Sequence, residues 1–160
     1  MAIDKTTGRA ITFLLGLLLC WHSSGFSQNE NARTLFAENK TAILQIRVID
    51  VTSGSKSVIG SGFVINAEGL IATNYHVIQI AASKPEQYRI EYLSAADQTG
   101  ELQLVDVDVV NDLALVRATD LEAETLPLAL AEPPIGVPVF ALGNPLDLGL
   151  TVVPGTYNGI

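Results

Sequence analysis

Apolar and polar residues alternate along much of this chain with the two-residue period of a β-strand. Between residues 41 and 51, Leu44, Ile46 and Val48 share one face and the residues between them are polar, which predicts a half-buried strand. Similar short runs, separated by turn residues, predict strands at 63–65, 70–72, 87–93, 102–109, 113–116, 137–142 and 148–153, with short helical segments at 29–40 and 77–82. Many short strands at regular intervals are typical of an all-β barrel or sandwich.

The stretch from Gly60 to Ile78 organises the predicted sheet. The apolar runs at 63–65 and 70–72 are separated by Asn-Ala-Glu-Gly, whose Asn and Gly tolerate the positive φ of a tight turn. We therefore predict a β-hairpin whose second strand delivers His76 to the edge of a buried sheet. A neutral imidazole held there can accept a proton from a nucleophile at physiological pH.

The first 27 residues have the layout of a secretory signal peptide. Lys5 and Arg9 precede an apolar run at 11–21, which is shorter than the roughly 20 residues of a membrane span. A retained membrane anchor is the alternative. Cys20 raises a lipoprotein reading, but Leu19 stands where that processing requires a small residue. We expect export, to the periplasm or as a secreted protein, with membrane contact only through this leader.

Composition excludes several classes of function. The 160 residues carry a net charge of -8 without clusters of Lys and Arg, so nucleic acid is not an expected partner. The single cysteine, Cys20, lies in the predicted leader, which leaves the remaining chain without a disulfide, a cysteine nucleophile or a cysteine-based metal site. His22 and His76 are too few for a histidine-rich zinc site. No metal site is therefore expected.

His76 and Asp112 are the pair of residues to which the sequence assigns chemistry. A carboxylate that accepts the Nδ1 proton of a histidine fixes its tautomer and stabilises the imidazolium formed during proton transfer. Asp112 follows Asn111 at a break between two apolar strands, whereas Asp108 lies within a strand and alternates outward. Spacing alone does not decide the pairing. The alternative is an ordinary core histidine, with the two side chains pointing apart.

Four sequence motifs resemble, in content and in order, those of trypsin-like serine proteases of the bacterial HtrA type. They are Gly-Ser-Gly-Phe-Val-Ile at 60–65, Gly-Leu-Ile-Ala-Thr-Asn-Tyr-His-Val at 69–77, Asn-Asp-Leu-Ala-Leu-Val at 111–116 and Ala-Leu-Gly-Asn-Pro at 141–145. The resemblance runs from about Thr34 to the C-terminus. It implies an all-β, chymotrypsin-like double β-barrel, with the first barrel present and the second incomplete. By the same resemblance, His76 matches the general base and Asp112 matches the carboxylate that orients it.

The chain departs from this family at the nucleophile. The family's serine lies in a Gly-Asn-Ser-Gly-Gly type of turn, and the sequence reaches Ile160 without one, so the oxyanion hole built around that turn is missing too. The serines after the leader lie in the first-barrel half without the matching context, at Ser53, Ser55, Ser57, Ser61, Ser83 and Ser94. No nucleophile is therefore assigned in this chain.

The resemblance implies a serine-type endopeptidase that acts on exported or misfolded polypeptides, possesses no cofactor and can form homo-oligomers, with this chain inactive alone. The expected segments are a signal peptide at 1–27, an N-terminal β-barrel at 28–117, an inter-barrel connector at 118–134 and the first strands of a second barrel at 135–160. An acidic stretch followed by closely spaced prolines indicates the connector. Two explanations stay open: a fragment of a longer protease, which we favour, or a short non-catalytic β-barrel binding module.

Overall fold

The computed structural model describes residues 24–144 and 149–159. Its elements in chain order are α1 (Ser24–Asn39), a 3-10 turn (Lys40–Ala42), β1 (Ile43–Asp50), β2 (Lys56–Val64), β3 (Leu70–Thr73), α2 (Tyr75–Ser83), β4 (Tyr88–Leu93), β5 (Thr99–Asp108), β6 (Leu113–Arg117), β7 (Pro138–Gly143) and β8 (Thr151–Thr156). The predicted signal peptide lies outside the described residues, except for 24–27, which belong to α1. No helix of the described ranges has the length and apolar character that crossing a bilayer requires.

The first six strands form a closed barrel in the order β1-β2-β3-β6-β5-β4, and every neighbouring pair is antiparallel. This confirms the predicted β-barrel. Within it, Leu44, Ile46 and Val48 are fully buried, as their alternation predicts. The half-buried reading of β1 is wrong for the other face, because Gln45 is also buried. Strand β7 also lies close to β1.

The predicted hairpin at the centre of the chain is confirmed. β2 and β3 pair antiparallel, with Val64 opposite Ile71. The turn closes through a bond from the Gly69 N–H to the Asn66 carbonyl and one from the Leu70 N–H to the Asn66 side-chain oxygen. Gly69 has a φ of +72°, and a Cβ there would collide with the Ala118 carbonyl oxygen. Glycine is therefore required at this position by both its backbone conformation and the close approach of Ala118.

Helix α2 begins directly after β3, two residues before the helical segment predicted at 77–82. His76 therefore lies in the first turn of this helix, Tyr75–Ser83. Its neighbours Val77 and Ile78 are buried in the barrel core, which fixes the helix against the sheet. Gly60 on β2 permits this packing, because a Cβ there would lie 2.5 and 2.7 Å from the two Val77 methyl groups.

The segment after β6 packs along the barrel before the chain reaches β7. Leu121 and Ala123 contact the core, and the Leu126 N–H donates to the Val64 carbonyl over 2.8 Å. β7 and β8 then form a separate two-stranded antiparallel sheet. The last predicted strand, 148–153, corresponds to β8, which begins at Thr151 in the structure, and residue 148 lies outside the described residues. Gly149 has a φ of +91°, outside the range of regular strand residues.

Candidate active site

His76 is positioned by the start of α2. Asn74 precedes the helix with an extended backbone, φ -81° and ψ 145°, so the chain leaves β3 and turns directly into helical conformation. Burial of Val77 on the next position holds the first turn in place. The imidazole itself remains accessible, with 64% of its side chain exposed.

Asp112 is positioned by the turn that joins β5 to β6. The Asp108 carboxylate braces this turn by accepting bonds from the Asn111 N–H over 3.1 Å and from Asn111 Nδ2 over 2.6 Å. Asp112 follows with a φ of +54°, in the left-handed region that Asp adopts more readily than most residues. Its side chain is 45% exposed. The brace and the left-handed residue together direct the carboxylate toward α2.

The structure brings His76 and Asp112 into direct contact. His76 Nδ1 lies 2.7 Å from Asp112 Oδ2, and the His76 backbone N–H donates to Asp112 Oδ1 over 2.8 Å. One carboxylate thus holds a single residue by its main chain and its side chain, which rules out the alternative in which the two side chains point apart. Because an ionised carboxylate only accepts hydrogen bonds, Nδ1 carries the proton and Nε2 is left as the basic nitrogen.

These contacts determine the charge of the site. The pKa of the Asp112 carboxyl is lowered from its ordinary 3.8, mainly by the backbone N–H of His76 and then by the His76 side chain, while burial acts in the opposite direction. Its place at the N-terminus of α2 also favours a negative charge, since the helix dipole is positive there. The carboxylate is therefore ionised at neutral pH and can stabilise an imidazolium.

Sequence reasoning missed Asn74 as a member of this site. Asn74 Nδ2 lies 3.1 Å from the Asp112 carbonyl oxygen and 3.2 Å from Asp112 Oδ2. The Tyr75 N–H donates to the same carbonyl over 3.1 Å. The available signal was an Asn directly before a helix, and that pattern predicts a helix cap and not a contact with a distant residue.

A cleft of about 280 Å³ lies beside this site, between the barrel and β7. Phe63, Asn74 and Leu113 line it from the barrel, and Leu142 lines it from β7. Ser61 also borders the cleft, and its Oγ accepts the Asn144 N–H over 2.8 Å. This bond ties the end of β7 to β2.

Four other serine hydroxyls make local hydrogen bonds. Ser53 and Ser55 bond to each other in the β1–β2 turn. Ser83 Oγ donates to carbonyls of its own helix, and Ser94 Oγ accepts backbone N–H groups of its own turn. These four hydroxyls are thus engaged within turns or at the end of a helix. Within the described ranges, no group of three or more His, Cys, Asp or Glu side chains is arranged to hold a metal ion.

Comparison with known proteins places this geometry in a family. The model of the trypsin-like peptidase domain matches residues 60–160. "Protease Do-like 1, chloroplastic" of Arabidopsis thaliana is 32% identical over 142 residues, which cover 79% of this chain and 30% of that protein. "Probable periplasmic serine endoprotease DegP-like" of Rickettsia conorii is 36% identical over 129 residues, which cover 75% of this chain and 23% of that protein.

Solved structures agree with the sequence comparison. The crystal structure of the serine endoprotease from Yersinia pestis superposes with a TM-score of 0.69 at 26% identity, covering 80% of this chain and 44% of that one. The chain thus spans less than half the length of each of these relatives. Its barrel, its ordered motifs and these matches agree: the chain belongs to the trypsin-like peptidase family and is a relative of the HtrA/Deg serine proteases.

Proposed function

We propose that this chain supplies the general base and the orienting carboxylate of a serine endopeptidase. The observation that carries the proposal is the two-bond contact between His76 and Asp112, with the imidazole exposed beside a cleft. In a chain that belongs to a peptidase family, this arrangement suits acyl transfer. Asp112 is bonded at Nδ1, so Nε2 is the ring nitrogen that can accept a proton from a nucleophile.

In the proposed reaction a serine hydroxyl attacks the scissile carbonyl while His76 Nε2 takes its proton. Asp112 stabilises the resulting imidazolium, which then protonates the leaving amine, and water hydrolyses the acyl-enzyme with His76 again acting as base. The sequence has no serine after Ser94. We propose that the nucleophile and the oxyanion-hole donors come from outside these 160 residues, so that this chain alone has no peptidase turnover.

The proposed substrates are polypeptides of an exported compartment. The leader predicted at 1–27 supports export, and the Rickettsia relative is named as periplasmic. The proposed division into the first barrel at 28–117, a connector at 118–134 and second-barrel strands at 135–160 follows from the same family pattern. Self-association is part of the proposal. A second candidate, a non-catalytic β-barrel binding module, is favoured by the structural bonds of the serines described above.

The experiment uses the protein as the native cell makes it. The gene product is purified with an antibody against the barrel, its mass is measured, and it is treated with a fluorophosphonate probe that labels activated serines. We expect labelling and casein hydrolysis that His76→Ala and Asp112→Ala both suppress. Absence of labelling in the native product would overturn the endopeptidase proposal in favour of the binding module, and so would labelling that persists in both variants.

A further inference from the structure

Asn74 occupies a helix-cap position without capping the helix. Asn side chains at such positions usually accept a backbone N–H of the first turn, and Asn74 makes no side-chain bond of that kind. The His76 N–H, which is one of the N–H groups that need a partner there, is bonded instead by Asp112 Oδ1 at 2.8 Å. A residue on another element thus caps α2, and the amide of Asn74 is released for a different contact.

That contact reaches two separate parts of Asp112. The amide group offers two N–H donors, and Nδ2 lies 3.1 Å from the main-chain oxygen of Asp112 and 3.2 Å from Oδ2 of its carboxylate. Both distances lie within the range of N–H···O hydrogen bonds. A single planar amide that bridges the carbonyl and the carboxylate of one residue fixes the side chain relative to its own backbone.

The hydrogen bonds from Asn74 restrain the direction of the Asp112 side chain. Asp112 is 45% exposed and adopts a left-handed backbone conformation, so packing alone does not select that direction. Asn74 shares Oδ2 with His76 Nδ1, which lies 2.7 Å away. From this geometry we infer that Asn74 is a positioning residue, which aims the Asp112 carboxylate at the imidazole of His76. A role of Asn74 in catalysis rests on the proposed function, whereas its contact with Asp112 does not.

The competing explanation is that Asn74 serves only to begin the helix. Asn74→Ser separates the two, because Ser begins helices as well as Asn does but its shorter side chain has no amide to bridge Asp112. Asn74→Asp also keeps helix-starting ability, and it replaces the amide by a second negative charge beside the carboxylate. Asn66→Ser, in the β2–β3 turn away from the site, is the matched control.

The test is made by NMR on the 160-residue chain. Asn74→Ser should raise the carboxyl pKa of Asp112 and speed hydrogen exchange at the His76 N–H by roughly threefold to tenfold, the loss expected for one hydrogen bond. Asn74→Asp should raise that pKa further, and Asn66→Ser should change neither quantity. An unchanged pKa and exchange rate in Asn74→Ser would overturn the inference, and so would loss of helix content with the pKa retained. None of these measurements requires hydrolysis, so their outcome is independent of the endopeptidase proposal.

Discussion

Gly60→Ala adds a single methyl group on β2, and we predict that it disturbs the packing of α2, the helix that carries His76, and lowers the stability of the fold. An ideal Cβ at position 60 lies 2.5 Å from Val77 Cγ2 and 2.7 Å from Val77 Cγ1. Ordinary carbon–carbon contacts are about 3.5–4.0 Å, so the neighbours must separate by about 1 Å. Val77 is only 4% exposed, which leaves no free direction for its methyls. Overpacking of this kind costs about 1–3 kcal/mol.

The size of the effect is tested in a double-mutant cycle with Val77→Ala. Removing both methyls loses about 1.6 kcal/mol of burial, at about 0.8 kcal/mol for each carbon, and the cavity left behind adds a further cost. It also leaves Val77 Cβ as the nearest atom, at 3.2 Å, so the new methyl at position 60 fits with little adjustment. We therefore expect Gly60→Ala to cost about 1–3 kcal/mol in the native background and close to nothing beside Val77→Ala.

Urea unfolding followed by circular dichroism supplies the free energies, with the slope m compared among variants so that only changes in stability are scored. Gly155→Ala is the control, because its Cβ lies at an ordinary 3.6 Å from Val139 Cγ2 on a strand of the same chain. Equal costs of Gly60→Ala in the two backgrounds, within about 0.5 kcal/mol, would refute the packing explanation.

Three further outcomes follow from the described contacts. Gly69→Ala should lower the free energy of unfolding by more than Gly54→Ala does. Both glycines have φ near +70°, but of the two only Gly69 lies against a backbone carbonyl. Equal losses in urea unfolding would contradict the role of that close approach. Hydrogen bonds lower the pKa of Asp108, chiefly from the Asn111 side chain, so its stabilisation is present above the ordinary pKa of 3.8 and is lost as the pH falls through the lower folded-state pKa. Asp108→Asn should flatten that acid loss in urea midpoints measured against pH, and an unchanged profile would count against the brace. Ser61→Ala should lower the free energy of unfolding by about 1 kcal/mol and speed amide hydrogen exchange at Asn144. Ser83→Ala, at an exposed helix end, is the control and should be near neutral. Protection of the Asn144 amide that survives Ser61→Ala would exclude the bond as its cause.

The barrel was predictable from the sequence because strand periodicity and turn residues report local geometry. Alternation identified the inward face of β1, and the turn between Asn66 and Gly69 was predictable because Gly69 adopts the positive φ that the sequence suggested. Asn66 contributes to this turn through its hydrogen bonds and not through a positive φ. The burial of Gln45 was not predictable, because a polar residue between apolar ones on a strand indicates a solvent-facing side. Alternation shows which face of a strand packs on the core, and it contains no information on which elements pack against the opposite face.

The site was predictable in its members but not in its geometry. His76 and Asp112 were selected by the chemistry of their side chains and by the resemblance of the surrounding motifs. The predicted helix at 77–82 begins two residues earlier in the structure, at Tyr75, so that it includes His76; ends of helices are not well defined by local sequence. Asn74 was missed because its contact crosses between two elements that meet only when the barrel closes. Long-range hydrogen bonds of this kind are a consequence of tertiary structure and leave no local pattern.

The two hydrogen bonds between Asp112 and His76 affect how relatives of this chain are compared. The carboxylate that serves the imidazole also satisfies a backbone donor at the first turn of α2. Selection for folding alone would favour an aspartate at this position, because its carboxylate satisfies that backbone donor. Among relatives of this barrel, an aspartate at the position of Asp112 is therefore weaker evidence of peptidase activity than a histidine at the position of His76.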